Sequence, residues 1–175
     1  VSAFQGACGV AKSLNPDLSA FIEVQDNGGT ICNGHIAFPP LAWGESYSQY
    51  VFYPGYSLRV SNDLGQTWED WGTWDCTWAL EMGLHPTDPQ TDYVGNVEGM
   101  RVTTNGGTTW QAINHGLTGT APEVLEVLPD QPGTVLGQNI DSLGLFRLEQ
   151  GGANWSFIPV TPPIYTPMYR TTAFA

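Results

Sequence analysis

Apolar and polar residues alternate along the chain in short bursts separated by turn residues, which is the pattern of half-buried β-strands. The bursts come in rounds of four. A short apolar run closing near a proline, at residues 35–39, 80–86 and 124–129, reads as the innermost strand of a sheet, the proline ending its pairing. A second run follows at 50–53, 92–95 and 134–137, and a third at 56–60, 99–102 and 145–148. The fourth occupies 68–74, 110–113 and 155–160. Residues 9–13 and 21–24 supply the last two members of an earlier round. Residues 1–4 fall where a second member begins and 169–174 where a first member ends, so the chain starts and stops at one phase of the repeat. The pattern leaves no room for long helices.

Between the third and fourth members of each round lies a motif. Ser61-Asn62-Asp63-Leu64-Gly65-Gln66-Thr67-Trp68 returns as Thr103-Thr104-Asn105-Gly106-Gly107-Thr108-Thr109-Trp110, and a worn copy ends in Gly151-Gly152-Ala153-Asn154-Trp155. Its chemistry is that of a turn. The Asp63 or Asn105 side chain can accept hydrogen bonds from N–H groups within the loop, and Gly65 and Gly107 supply a positive φ. The hydroxyls of Ser61, Thr67, Thr103 and Thr109 satisfy further turn groups, and the tryptophan fixes the hairpin to its neighbour by burying apolar surface. Counted at the serine position, Ser13, Ser61, Thr103 and Leu148 are 48, 42 and 45 residues apart, the length of a four-stranded blade.

At these residues the chain resembles the Asp-box (BNR) repeat of sialidase-like, sortilin-like and xyloglucanase-like β-propellers. The resemblance implies an all-β propeller domain over 1–175, with blade units near 1–40, 41–86, 87–129 and 130–175. Four such units either close a ring alone or belong to a larger ring. An open propeller leaves sheet faces and edges uncovered, so the expectation is a ring completed by further polypeptide, of the same or another chain.

Charge narrows the partners. With 17 acidic and 5 basic residues the formal net charge is −12, which disfavours nucleic acid and anionic membrane surfaces. No apolar run approaches the roughly 18 residues of a membrane span, so no membrane insertion is expected. Protein and glycan ligands remain. Cys8, Cys32 and Cys76 show no metal-ligand spacing. Together with the scarcity of lysine and wealth of tryptophan they suggest an extracellular or periplasmic protein with one disulfide and one spare thiol, the alternative being three buried reduced cysteines. The Val1 start, without a charged leader or initiator Met, reads as a mature or trimmed product. No motif calls for a metal or cofactor.

Antiparallel wiring sorts the loops. The boxes connect strands three and four of a blade and share a side with the 1–2 links, while the 2–3 turns and 4–1 connections open on the opposite side. Propellers resembling this one bind ligands on that second side, so the box residues read as scaffold. Candidates there are Glu98 and Asp141 in 2–3 turns and Asp26, His35 and His115 in 4–1 loops. Trp71, Trp74 and Trp78 run through one 4–1 connection; they are either a platform for the apolar face of a sugar or fillers between blades. Residues 43–50 lengthen a 1–2 link, as a local decoration or contact patch.

Catalysis of the sialidase kind would need three arginines converging on one carboxylate. Arg59, Arg101 and Arg147 instead read as repeats of one strand slot two residues before the box, for salt bridges or packing between blades. A xyloglucanase-like hydrolase needs two opposed carboxylates. The leading expectation is therefore a noncatalytic extracellular module for protein or glycan. A glycoside hydrolase or a piece of one is the rival, using Glu98 or Asp141. A third reading is an intracellular assembly factor resembling the photosystem assembly propellers.

Overall fold

In the computed structural model, which describes residues 10–13, 21–24, 37, 39–54, 58–71, 79–118, 122–139 and 144–159, the alternating runs form antiparallel sheets wired in chain order. The first contains β1 (Val10–Ser13) and β2 (Phe21–Val24). The second contains β3 (Val51–Pro54), β4 (Leu58–Ser61) and β5 (Glu69–Asp70), with Ala37 bridged to Phe52 in the place of an inner strand. The third is complete: β6 (Ala79–Leu84), β7 (Asp92–Asn96), β8 (Gly99–Thr103) and β9 (Gln111–Ala112). The fourth repeats it with β10 (Pro122–Val127), β11 (Val135–Asn139), β12 (Gly144–Leu148) and β13 (Trp155–Pro159). β9 is shorter than the 110–113 run of the sequence; one further ladder bond follows it, Ile113 N–H to Met100 O, as Trp71 N–H to Leu58 O follows β5.

The register repeats. Val51 pairs with Ser61, Asp92 with Thr103 and Val135 with Leu148. Side chains alternate across a strand, so Asp92, Thr103, Val135 and Leu148 face the preceding sheet, while Phe52 and Tyr93 face the following one. Two apolar cores result. Trp43, Phe52, Leu58, Val60, Met82 and Val94 fill the seam between the second and third sheets. Tyr93, Met100 and Ile113 meet Val135, Phe146, Leu148 and Trp155 between the third and fourth. Burial of each large apolar side chain stabilises by about 1.5–3 kcal/mol. The inner strands β6 and β10 lie side by side, and Gly83 permits it: a Cβ there would stand 3.0 Å from Val127 Cγ2 and 3.1 Å from the Leu125 side chain.

One expectation fails. Arg59 and Arg101 do share a slot, pairing with Tyr53 and Val94 two residues before Ser61 and Thr103. Arg147 does not, because it pairs with Leu136, one residue before Leu148, and so projects from the opposite face. The slot itself holds Phe146, 1% exposed, since in the fourth sheet it lies inside the core.

Residues 41–47 form two 3₁₀ turns, Leu41–Trp43 and Glu45–Tyr47, so the 43–50 stretch begins at the end of the first and contains the second. Trp43 is more than decoration: it is buried in the seam, and its Nε1 donates to the His85 carbonyl at 2.7 Å.

Candidate functional site

The two intact boxes close on themselves in one way. In the first, Thr67 N–H and Thr67 Oγ1 donate to the Asp63 carboxylate at 2.8 and 2.5 Å, and Gly65 N–H donates to Ser61 Oγ at 2.7 Å. Hydrogen bonds, the Thr67 hydroxyl foremost, pull the Asp63 carboxyl down to about 2. In the second, Thr109 N–H donates to Asn105 Oδ1 and Gly107 N–H to Thr103 Oγ1, both at 2.9 Å. Residues four and five of each box are left-handed, Leu64 and Gly65 in one and Gly106 and Gly107 in the other. Each box is also tied to its own 1–2 link, Leu64 N–H to Gln49 O and Gly106 N–H to Gln90 O, both at 3.0 Å. The worn copy folds otherwise. Gly151 is left-handed and Gly152, aligned with the box glycine, is not; Gly152 N–H donates to Glu149 O at 2.8 Å.

Tryptophans at the strand ends bind the sheets laterally. Trp71 is half-buried; its ring packs against Phe52 (4.6 Å between centroids) and edge-on to Trp110 (5.4 Å), and its Nε1 donates to Gly106 O at 2.9 Å. Gly107 is required opposite, because a Cβ there would collide with the Trp71 indole. Trp155, at the box position of the fourth sheet, reaches back to the third, with Nε1 to Ile113 O at 2.6 Å and N–H to His115 O at 2.8 Å. Trp68 is tied to its own sheet by Nε1 on Gly65 O, with Tyr53 edge-on at 6.0 Å and the Arg59 guanidinium over its ring.

On the side opposite the boxes, the third sheet carries a pinned turn. Asn114 accepts from Met100 N–H at 2.6 Å and donates to Glu98 O at 3.0 Å, while Glu98 N–H donates to Asn96 Oδ1 at 3.0 Å. The Glu98 carboxylate projects into solvent and pairs with Arg101 at 3.2 Å. His115 follows in the exposed turn after Asn114. The structure thus brings Glu98 and His115 to neighbouring loops and sets Trp71 apart in a seam. Trp74, Trp78, Asp141, Asp26, His35 and the three cysteines lie outside the described residues.

Sequence reading missed a polar knot at the box end of the third sheet. His85 Nδ1 accepts from Thr87 and Asp88 N–H at 3.3 and 3.0 Å, and His85 N–H donates to Asp92 Oδ1 at 3.2 Å. Asp92 is fully buried and its Oδ2 has no partner. Burial, with the Asp88 charge adding to it and the His85 N–H opposing it, pushes the Asp92 carboxyl up to about 8. The signal was available: in register, Asp92 occupies the position of Val51 and Val135, both 0% exposed. Beside the knot a cleft of about 630 Å³ opens between the third and fourth sheets.

No family model and no curated protein matches the chain. Solved structures do. An ancestral GH74 enzyme superposes with a TM-score of 0.64 at 20% identity over 89% of this chain and 23% of its own. The GH74 xyloglucanase from Xanthomonas campestris gives 0.52 at 18% identity over 70% of this chain and 21% of its own. YCF48 bound to D1 peptide gives 0.50 at 18% over 71% of this chain and 43% of its own. The matched part of the chain therefore spans less than half the length of each of these proteins. The likeness shows an all-β fold related to propeller-type folds.

Proposed function

We propose that the chain is a run of Asp-box blades in a β-propeller completed by further polypeptide, and that it acts outside the cytoplasm as a noncatalytic module binding protein or glycan through the 2–3 and 4–1 loops. The observation carrying this reading is the turn pinned by Asn114. Its backbone is held from two sides while the Glu98 carboxylate and the neighbouring His115 stay exposed. A pre-organised loop presenting exposed side chains loses little entropy on binding. Neighbours of this fold include a glycan-acting enzyme and a peptide-bound protein, and both ligand classes suit the reading.

The test is binding of tamarind xyloglucan oligosaccharides and of a basic peptide library, before and after Glu98→Gln with His115→Ala. Loss of binding in that variant, with retention in Asn105→Ala, supports the reading; equal loss in both variants, or in neither, overturns the loop assignment. The GH74 likeness favours the hydrolase as second reading. Release of reducing ends from xyloglucan by the native chain, abolished by Glu98→Gln, would replace a binding module with an enzyme. The likeness to peptide-bound YCF48 favours the assembly factor as third, which requires reduced cysteines.

A further inference from the structure

The cleft between the third and fourth sheets opens at the box end, away from the loops assigned above, and its walls follow from the repeat. On one side the third sheet presents Tyr93, Val102 and Gln111, which alternation turns toward the fourth. On the other stand Leu148 and Gln150, the first and third positions of the worn box.

Those two positions are where the worn box departs from the intact ones. Leu148 replaces the serine or threonine that accepts from the glycine N–H, and Gln150 replaces Asp63 and Asn105, whose side chains fold back onto Thr67 and Thr109. The Gln150 amide makes no such bond: it is exposed, without a hydrogen-bond partner among the described residues, and borders the cleft. Gln111 is in the same condition, and the Tyr93 hydroxyl and His85 Nε2 on the same lining are likewise unengaged among the described residues. Because His85 Nδ1 accepts two backbone N–H bonds, the ring proton sits on Nε2, which is a donor. Among the described residues the one carboxylate on the lining, Asp88, is already occupied by Gln90 N–H at 3.0 Å and Thr91 Oγ1 at 2.7 Å.

We infer that this cleft is a second binding site, for a neutral oligosaccharide. The unengaged groups are two primary amides, a phenol and a neutral imidazole. None carries charge, and the amides and phenol each donate and accept, which is what a sugar hydroxyl requires. Val102, Ile113 and Leu148 supply apolar contact for the ring C–H groups. The volume lies within the range of small-ligand sites. A peptide is less well served, since the wall formed by the third sheet is a sheet face, with no strand edge to extend.

Saturation-transfer NMR of the full chain with millimolar cellotetraose, maltotetraose and mannotetraose tests this. Transfer to at least one tetrasaccharide is expected, with affinity falling about tenfold in Gln150→Ala and again in Tyr93→Phe, the equivalent of one lost hydrogen bond each. Both variants should keep the native melting temperature, and Glu69→Gln, an exposed change in the second sheet outside both sites, should bind as the native chain does. Transfer to none of the three sugars overturns the site, as does binding that survives both cleft variants or binding of a Gly-Ser peptide in their place. Sugar binding lost in Glu98→Gln and kept in Gln150→Ala would overturn it too, moving the ligand to the opposite loops.

Discussion

Replacing Asp92 by valine should make the protein more stable at neutral pH. The position faces the second sheet and is 0% exposed, as are Val51 and Val135 at the equivalent places. A carboxyl there is desolvated, and its Oδ2 finds no donor. Its folded value of about 8 lies far above the ordinary value of 3.8. Between those two values the unfolded chain releases a proton that the folded chain retains, so stability falls as pH rises. The slope approaches about 1.4 kcal/mol per pH unit, or about 4 kcal/mol between pH 4 and pH 7. Valine removes that loss but strands the His85 N–H, which costs about 1 kcal/mol. The net expectation is a gain of about 2–3 kcal/mol at pH 7.

Urea unfolding followed by tryptophan fluorescence at several pH values from 4 to 8 measures it. His85, Asp88 and Tyr93 are the titratable neighbours and remain in the variant. Its pH slope should therefore flatten by the Asp92 share alone, and Asp92→Asn, which keeps an acceptor for the His85 N–H, should flatten it equally. An Asp92→Val protein less stable than native at pH 7, with an unchanged slope, would refute the reasoning. It would mean the carboxylate is ionised and satisfied in the folded state.

Trp71→Ala should cost about 3–5 kcal/mol in the same assay, because it empties a seam between two sheets, and a variant of native stability would return Trp71 to the ligand candidates. Gly107→Ala should be destabilised by about 1–3 kcal/mol from its left-handed φ and its collision with the Trp71 indole. Combining it with Trp71→Ala should cost less than the sum of the two, and strict additivity would deny the contact. The depressed Asp63 carboxyl contributes stability that is present above its unfolded value of 3.8 and lost as pH falls through about 2. Asp63→Ala should therefore lower the melting temperature at pH 7 and narrow its gap to the native chain at pH 2; a constant gap would sink the assignment.

The strands and boxes were legible because their causes are local. Alternation fixes a strand wherever it occurs, and the side chains of Ser61, Asp63, Thr103 and Asn105 close their turns on groups within four residues, so the motif carries most of its own geometry. The fate of Trp71 was not legible in this way. Its partners, Gly106, Phe52 and Trp110, lie on two sheets, and whether an indole fills a seam or faces solvent is decided by how those sheets dock. The difference at Arg147 was legible by counting: it stands one residue before Leu148, where Arg59 and Arg101 stand two before Ser61 and Thr103, and one residue moves a side chain to the other face of a strand.

The departures from the repeat are where function is best sought, and they become visible only once the register is known. Asp92 breaks the valine rule at a cost the fold bears at neutral pH. Gln150 breaks the box rule and leaves an amide open beside a cleft. A repeat protein has its structural requirements written several times over, so a residue that ignores the requirement met by its equivalents is under some other constraint or under none. Valine at 92 distinguishes those cases for the buried carboxyl: a stabilised protein that keeps its glycan or peptide binding leaves Asp92 without a role, whereas one that gains stability and loses binding marks the knot of His85, Asp88 and Asp92 as part of the site.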